Sequence, residues 1–389
     1  MIKGLVIASN GLEIVAKDNI EEILDMQLKD SEIAKSVVIF SVKTVEQLCK
    51  LCYMSQASAR VLLYIGKIAS ADADKAKDLF SAVKLAGLIK TNSKFRARCK
   101  NNSDEIIEIT ELEKQLGSDF IEYCEGIGIS LDVDLKNPDV ILFGHMIDGM
   151  LYLGIDLSGD IAKRDYRIFN SPLSLKGTTA FGLLKLAGYE PKDVMVDTFC
   201  NSGTIEIEAA LYASNTSPKH YNKDFPFKKL KIFDDASLEK FFKDMDKSGK
   251  KPAGSNISIT AADALLRNIT AAKKNAKMAG VEKFIGFRRI DTDWLDLKFE
   301  KGSVDKIITF IPGSSKHKDK RFQEKQYKEL FYQAEYILNR SGIAVVLCLS
   351  KELLLKASDE YMEFFKEEEF SSGEQIMRVL FFRHKRGVK

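Results

Sequence analysis

The chain has 389 residues, 45% of them hydrophobic, with 59 Lys and Arg facing 56 Asp and Glu for a net charge of +3. That length exceeds a single usual core, and the composition is that of a globular chain without internal repeats or low-complexity tracts, so two or three domains are expected. Six dispersed cysteines, no apolar N-terminal signal and no apolar run of membrane length argue against a secreted or membrane-spanning protein and for a reduced cytosolic compartment, while four scattered histidines offer no metal cluster.

In chain order, the first distinctive element is an amphipathic helix carrying Cys49-Lys50-Leu51-Cys52. A lone C-x-x-C with no second pair reads as core packing rather than as a zinc site. Arg60-Val61-Leu62-Leu63-Tyr64-Ile65 is an apolar strand. Val194-Met195-Val196 is another, and it breaks at Asp197-Thr198-Phe199-Cys200-Asn201-Ser202-Gly203-Thr204 into a tight turn of small residues that opens a helix over residues 205–211. Open parallel sheets bind ligands at that strand-to-helix end. The turn lacks both the G-x-G-x-x-G spacing that cradles a pyrophosphate and the lysine of a P-loop, so a sulfonium cofactor without phosphates fits better. Cys200 has no base nearby to activate it and reads as structural or cofactor-adjacent. Residues 234–256, polar and lysine-rich, read as a surface excursion.

Residues 257–263 form a strand ending in the carboxylate of Asp263, which suits a ribose diol because both hydroxyls can donate to it, whereas a phosphate would be repelled. Two acids on successive strands around a small-residue turn favour a site over ordinary capping. Residues 264–280 read as a helix stopped by glycine, with Ile269, Ala272, Ala276 and Ala279 toward the sheet. Residues 284–293 read as a strand whose polar end, Asp291-Thr292, suits an adenine edge. A further strand over 304–310 ends at Ile311-Pro312-Gly313, where Pro312-Gly313 reads as a plain turn.

Asp197, Phe199, Cys200, Ser202, Gly203 and Thr204 agree with six of the eight positions of a D-P-F-C-G-S-G-T motif, and Ile207-Glu208-Ala209-Ala210 with the I-E-A-A helix that follows it. On these residues the chain resembles the THUMP-domain RNA methyltransferases, S-adenosylmethionine-dependent enzymes that methylate guanosine N2 in tRNA and rRNA. Arg164-Asp165-Tyr166-Arg167 and residues 171–180, with Thr178 among them, resemble the segment that lies over the cofactor in that family; Lys176 stands where an arginine is usual. Lys94-Phe95-Arg96-Ala97-Arg98-Cys99-Lys100 and Val133-Asp134-Leu135-Lys136-Asn137-Pro138-Asp139-Val140 resemble the hallmark stretches of a THUMP domain. Together the matches cover most of the chain.

The resemblance implies an α/β protein with a C-terminal Rossmann-like class I methyltransferase sheet over 165–389. An α+β half would precede it, made of a ferredoxin-like module over 1–68 and a THUMP RNA-binding domain over 69–158, joined to the sheet by a short basic connection through Lys163, Arg164 and Arg167. The implied cofactor is S-adenosylmethionine, bound by Asp197, Phe199, Cys200, Asn201, Ser202, Gly203, Thr204 and Thr178, with Asp263 at the ribose and Asp291 and Thr292 at the adenine. The implied partner is RNA, tRNA ahead of rRNA, held by Lys94, Arg96, Arg98, Lys100 and Lys136 and by the basic loop with Lys316, Lys318, Lys320 and Arg321; no membrane is implied.

Besides Lys176, the chain departs from the family at three places. Thr198 replaces a proline, and Asn201 replaces a glycine, although asparagine tolerates the left-handed backbone such a turn needs. The catalytic motif, Asn or Asp followed by P-P and an aromatic residue, becomes Phe310-Ile311-Pro312-Gly313. In the family that motif aligns an exocyclic amine with carbonyl acceptors and stacks a ring on the flipped base. Phe310 brings no acceptor and Gly313 no ring, which leaves Pro312 as the retained catalytic candidate. Two functions stay open: an active enzyme passing the methyl group in line from the sulfonium, and a catalytically silent relative, its cofactor weakly bound or lost, that keeps the RNA grip as a scaffold or partner subunit. Charge is unevenly spread, because residues 1–155 hold 18 basic and 23 acidic side chains, leaving an excess of +8 downstream. Clusters at residues 219–231, 316–321 and 383–386 suit a phosphate backbone.

Overall fold

Branched aliphatic runs such as Val37-Val38-Ile39 and Val61-Leu62-Leu63 favour sheet, because side chains stiff at the first torsion pack well on a pleated surface. The computed structural model describes residues 2–83, 85–103, 106–171, 174–249, 257–311, 320–373 and 375–385. They divide into two units, one of Met1–Ala162 with Asn222–Lys247 and one of Lys163–Tyr221 with Ser248–Lys389.

The first unit is built on one eight-stranded sheet, ordered β2-β3-β1-β4-β8-β7-β5-β6. Its strands are β1 (Ile2–Ile7), β2 (Glu32–Ala34), β3 (Val37–Val42), β4 (Arg60–Ala69), β5 (Ser93–Asn101), β6 (Leu131–Val133), β7 (Val140–Ile147) and β8 (Met150–Asp156). Helices α1 (Glu13–Leu24), α2 (Val45–Met54) and α3 (Ile109–Gly126) accompany them. A capping box between Thr44 and Gln47 starts α2, and Cys49 and Cys52 are both buried along it, as core packing requires. The boundary expected at residue 68 falls inside β4, which pairs antiparallel with β8, so the two expected modules share a single sheet. Residues 222–247, expected in the C-terminal domain, cluster with this unit instead. There the supposed surface excursion forms a helix, α6 (Asp235–Gly249), and Phe242 is buried from it with its ring 5.3 Å from that of Tyr53. A few aromatic side chains on one edge outweigh the polar majority of that helix, because apolar area removed from water is worth about 25 cal/mol per Å².

The second unit carries a seven-stranded sheet, ordered β11-β10-β9-β12-β13-β15-β14. Its strands are β9 (Val194–Asp197), β10 (Ser258–Asp263), β11 (Ile285–Arg289), β12 (Val304–Phe310), β13 (Leu338–Cys348), β14 (Met362–Ser372) and β15 (Gln375–His384), and its helices α4 (Gly177–Leu186), α5 (Thr204–Ala213), α7 (Leu266–Ala279), α8 (Lys320–Ile337) and α9 (Glu352–Ser358). Neighbours from β11 to β13 are parallel, and β15 runs antiparallel to β13 and β14. The chain proceeds outward through β10 and β11 and then returns to the other side of β9 as β12, so strand order reverses between β9 and β12. Open α/β sheets bind ligands at that reversal. On one face, Val196, Ile307, Val346, Leu330 and Phe331 share a core. The expected strand over 284–293 stops at Arg289 and gives way to a 3-10 turn, Thr292–Leu297. Gly280 caps α7 in the left-handed conformation, with φ 76°. No helix among the described residues is long and apolar enough to cross a membrane.

Candidate functional site

Asp197 ends β9 beside the reversal point and is almost wholly buried. Its Oδ1 accepts hydrogen bonds from the Phe199 amide at 2.9 Å and from Thr309 Oγ1 of β12 at 2.5 Å. Burial pushes the carboxyl up to about 7 against the pull of those two donors, and the nearby Asp263 charge adds to the rise.

The turn after Asp197 reverses the chain through two left-handed residues, Asn201 with φ 53° and Gly203 with φ 80°. Asn201 therefore adopts the left-handed backbone that such a turn needs. Gly203 is fixed by space as well, since a Cβ there would lie 2.7 Å from the Cβ and 3.0 Å from the Cα of Ala272 on α7. Asp263 braces the turn from the end of β10. Its Oδ2 accepts from the Asn201 amide at 3.1 Å and Asn268 Nδ2 at 2.9 Å, and its Oδ1 from the Leu265 amide at 2.9 Å. The Cys200 amide donates to Ala262 O at 3.0 Å, and burial raises the Cys200 thiol well above its usual range, which suits packing and not nucleophilic attack.

The segment expected over the cofactor lies across this turn. Buried Asn275 of α7 accepts from the amides of Ile168 and Phe169 and donates from Nδ2 to the carbonyls of Phe169 and Ser202, both at 3.0 Å. Ser171 Oγ donates to Asn201 Oδ1 at 2.5 Å, and Ser202 Oγ to Ser174 Oγ at 2.7 Å. Upstream, the supposed basic connection is partly interior. Arg164 Nε donates to Glu208 Oε1 at 2.8 Å, Tyr166 hydroxyl donates to the same oxygen at 2.6 Å, and the Arg164 and Glu208 side chains are fully buried. Arg164 is thus an internal anchor, and a Cβ on Gly177 would sit 2.5 Å from Glu208 Oε1.

Ser174, Leu175, Asp197, Phe199, Cys200, Asn201, Ser202, Thr204 and Phe310 line a cleft at the carboxyl ends of β9 and β12. Thr178 is buried in the first turn of α4 and is absent from that lining. After β11, Asp291 is exposed and Thr292 buried. Ile311 is buried, its amide held by Leu347 O at 3.0 Å. Pro312, Gly313, Lys316 and Lys318 lie outside the described residues, as does the side chain of Lys320; Arg321 is exposed at the start of α8.

The expected cations of the first unit divide. Arg98, Lys100 and Lys136 are exposed, whereas Lys94 pairs with Asp134 at 3.0 Å and Arg96 donates to Leu135 O at 2.7 Å. In the cluster over 219–231, Lys219 is buried and donates to Asp165 at 2.9 Å, and Lys229 pairs with Asp139 at 3.2 Å, so this cluster is partly structural.

Sequence reasoning missed Glu206. It is fully buried in the first turn of α5, neither carboxyl oxygen has a hydrogen-bond partner among the described residues, and burial lifts it well above the ordinary carboxylate range. The signal was Ile205, Ile207, Ala209, Ala210 and Leu211 around it, a helix apolar on all sides.

A cleft walled by one buried acid, Asp197, and by small residues, with Asp263 bracing its turn, suits a cofactor that carries a positive charge and no phosphate. The family described as RMKL-like, methyltransferase domain, matches residues 164–376. A tRNA (guanine(6)-N2)-methyltransferase of Methanocaldococcus jannaschii is 30% identical over 370 residues, spanning 93% of this chain and 94% of that protein. An Archaeoglobus fulgidus protein of the same name is 28% identical over 287 residues, 73% of this chain and 68% of the other. Among solved structures, SMU.472 complexed with SAH superposes with a TM-score of 0.81 at 17% identity, covering 100% and 99% of the two chains. TrmN from Thermus thermophilus gives 0.70 at 19% identity, covering 99% and 100%. At such identities the two structures attest the class I methyltransferase fold alone. Strand order, acid-ended strands and sequence agree, and the chain belongs to the RMKL-like methyltransferase family.

Proposed function

We propose that this chain is an S-adenosylmethionine-dependent methyltransferase acting on guanosine N2 of tRNA. The observation that carries the proposal is the cleft at the β9–β12 reversal, walled by Asp197 and braced by Asp263, in a chain similar along nearly its whole length to a tRNA (guanine(6)-N2)-methyltransferase. S-adenosylmethionine supplies the methyl group when bound. Asp197, Asn201, Ser202, Gly203 and Thr204 surround its methionine part, with Phe199 and Cys200 packed behind and Thr178 supporting from α4; Asp263 takes the ribose hydroxyls, and Asp291 with Thr292 the adenine. Phe310 forms an apolar wall of the cleft and brings no acceptor for the amine, and Pro312 is kept as the catalytic candidate for in-line transfer. The eight-stranded sheet of the first unit serves as the joined ferredoxin-like and THUMP parts of a cytoplasmic enzyme, with Arg98, Lys100 and Lys136 contacting RNA phosphates.

The test is transfer of a labelled methyl group from S-adenosylmethionine to RNA from cells lacking the gene, small RNA being separated from ribosomal RNA, with Asp197→Ala as control. Label in the tRNA fraction that the substitution abolishes supports the proposal. Absence of label from a folded protein that still binds tRNA favours instead the silent relative acting as a scaffold or with a partner subunit, for which the missing acceptor at Phe310 speaks.

A further inference from the structure

Helix α7 carries Arg267, Lys273, Lys274 and Lys277 and not one Asp or Glu. Its buried side, Ile269, Ala272, Asn275, Ala276 and Ala279, packs inward, which leaves all four cations on the solvent side. Lys273 reaches Glu282 at 3.6 Å. Arg267, Lys274 and Lys277 pair with no carboxylate among the described residues, and their spacing of seven and three places them along one stripe. Helix stability accounts for Lys277, which stands in the last turn where the macrodipole favours a cation, but not for Arg267. Arg267 stands in the first turn, where the macrodipole disfavours a cation and where acids ordinarily collect.

Beside the stripe runs a surface groove of about 430 Å³ lined by Phe169, Leu266, Arg267, Thr270, Ala271 and Lys274. Phe169 is 40% exposed, and Lys274 Nζ lies 4.8 Å from its ring centroid. The ring is not loosely placed, because Asn275 holds the Phe169 backbone through both its amide and its carbonyl. Fixed cations flanking an exposed ring match a nucleic-acid strand, whose phosphates take the charges and whose bases stack on the ring.

We infer that this groove and the Arg267–Lys274–Lys277 stripe form an RNA backbone contact on the methyltransferase unit itself. The inference rests on the RNA substrate proposed above. Losing three cation–phosphate contacts reduces affinity about 100-fold at 0.1 M salt and flattens the slope of log affinity against log salt by about 2. Phe169→Ala weakens binding and leaves that slope unchanged.

The experiment measures binding of labelled bulk tRNA over a salt series for three proteins: wild type, the triple variant Arg267→Ala, Lys274→Ala, Lys277→Ala, and a control triple variant Lys240→Ala, Lys243→Ala, Lys247→Ala. The control removes the same charge from α6, where lysines are interspersed with Asp235, Glu239 and Asp244. Retained S-adenosylmethionine affinity checks that each protein is folded. A selective loss and flattened slope in the α7 variant is the expected result. Equal losses in both variants, or none in the α7 variant, overturn the inference while leaving tRNA as the substrate. A wild-type protein with no affinity for tRNA refutes the substrate and the groove together.

Discussion

Replacing Asp197 with asparagine separates what this position costs the fold from what it gives the site. Asparagine retains an oxygen that can accept from both Thr309 Oγ1 and the Phe199 amide, and it removes the ionisation. In the folded protein the carboxyl titrates at about 7, against an ordinary 3.8. Because the folded value is the higher one, the folded state holds the proton more tightly. Stability from this group is complete below about pH 4, declines as pH rises, and is fully lost above about pH 7. The gap corresponds to about 4 kcal/mol at pH 8, or roughly 10 °C in Tm for a domain of this size. Urea titrations of wild type and Asp197→Asn between pH 4 and 9 read it directly. The two should be nearly equally stable at pH 4, with the variant ahead by about 4 kcal/mol at pH 8 and methyl transfer lost throughout. A stability difference that does not vary with pH, or a variant less stable than wild type at pH 8, refutes the assignment of a buried, costly carboxylate.

Glu206→Leu fills the same interior space without the orphaned oxygens and should stabilise the protein by about 1–3 kcal/mol at pH 7, measured by thermal melting; a drop in Tm would show that the carboxyl has a partner after all. Gly203→Ala forces a side chain into the left-handed region and against Ala272, so S-adenosylmethionine affinity by calorimetry should fall together with about 1–3 kcal/mol of stability, and unchanged affinity counts against the turn as the cofactor's seat. Arg164→Met leaves Glu208 buried without its counter-charge while the Tyr166 hydroxyl still donates to it, which should cost about 3–5 kcal/mol in denaturant unfolding, whereas a neutral outcome means that the pair is solvated in solution.

The backbone around the candidate site was legible in the sequence wherever it is local. Asp197 and Asp263 close their strands, Asn201 and Gly203 stand where a turn needs left-handed backbone, and Gly280 stops α7, because backbone propensity and strand or helix period act over a few residues. The end of β11 was misplaced because Ile290, although apolar and buried with its amide bonded to Asp263 O, lies past the last strand residue, Arg289, and ahead of the turn that starts at Thr292. What depends on contacts distant along the chain was decided only by tertiary structure. Asn275 gathers the backbone at 168, 169 and 202 over more than seventy residues of separation, and it read in the sequence as one more helix position. Arg164 looked like part of a basic linker until Glu208 met it in the interior, and the lysine-rich stretch around α6 looked like surface until Phe242 found Tyr53. Glu206 shows the same divide from the other side: its helix announced burial, but only the packed fold leaves its carboxyl without a hydrogen-bond partner among the described residues. The physical reason is that a charge or polar atom takes its energy from its surroundings, and sequence specifies those surroundings only through the fold that brings distant segments together.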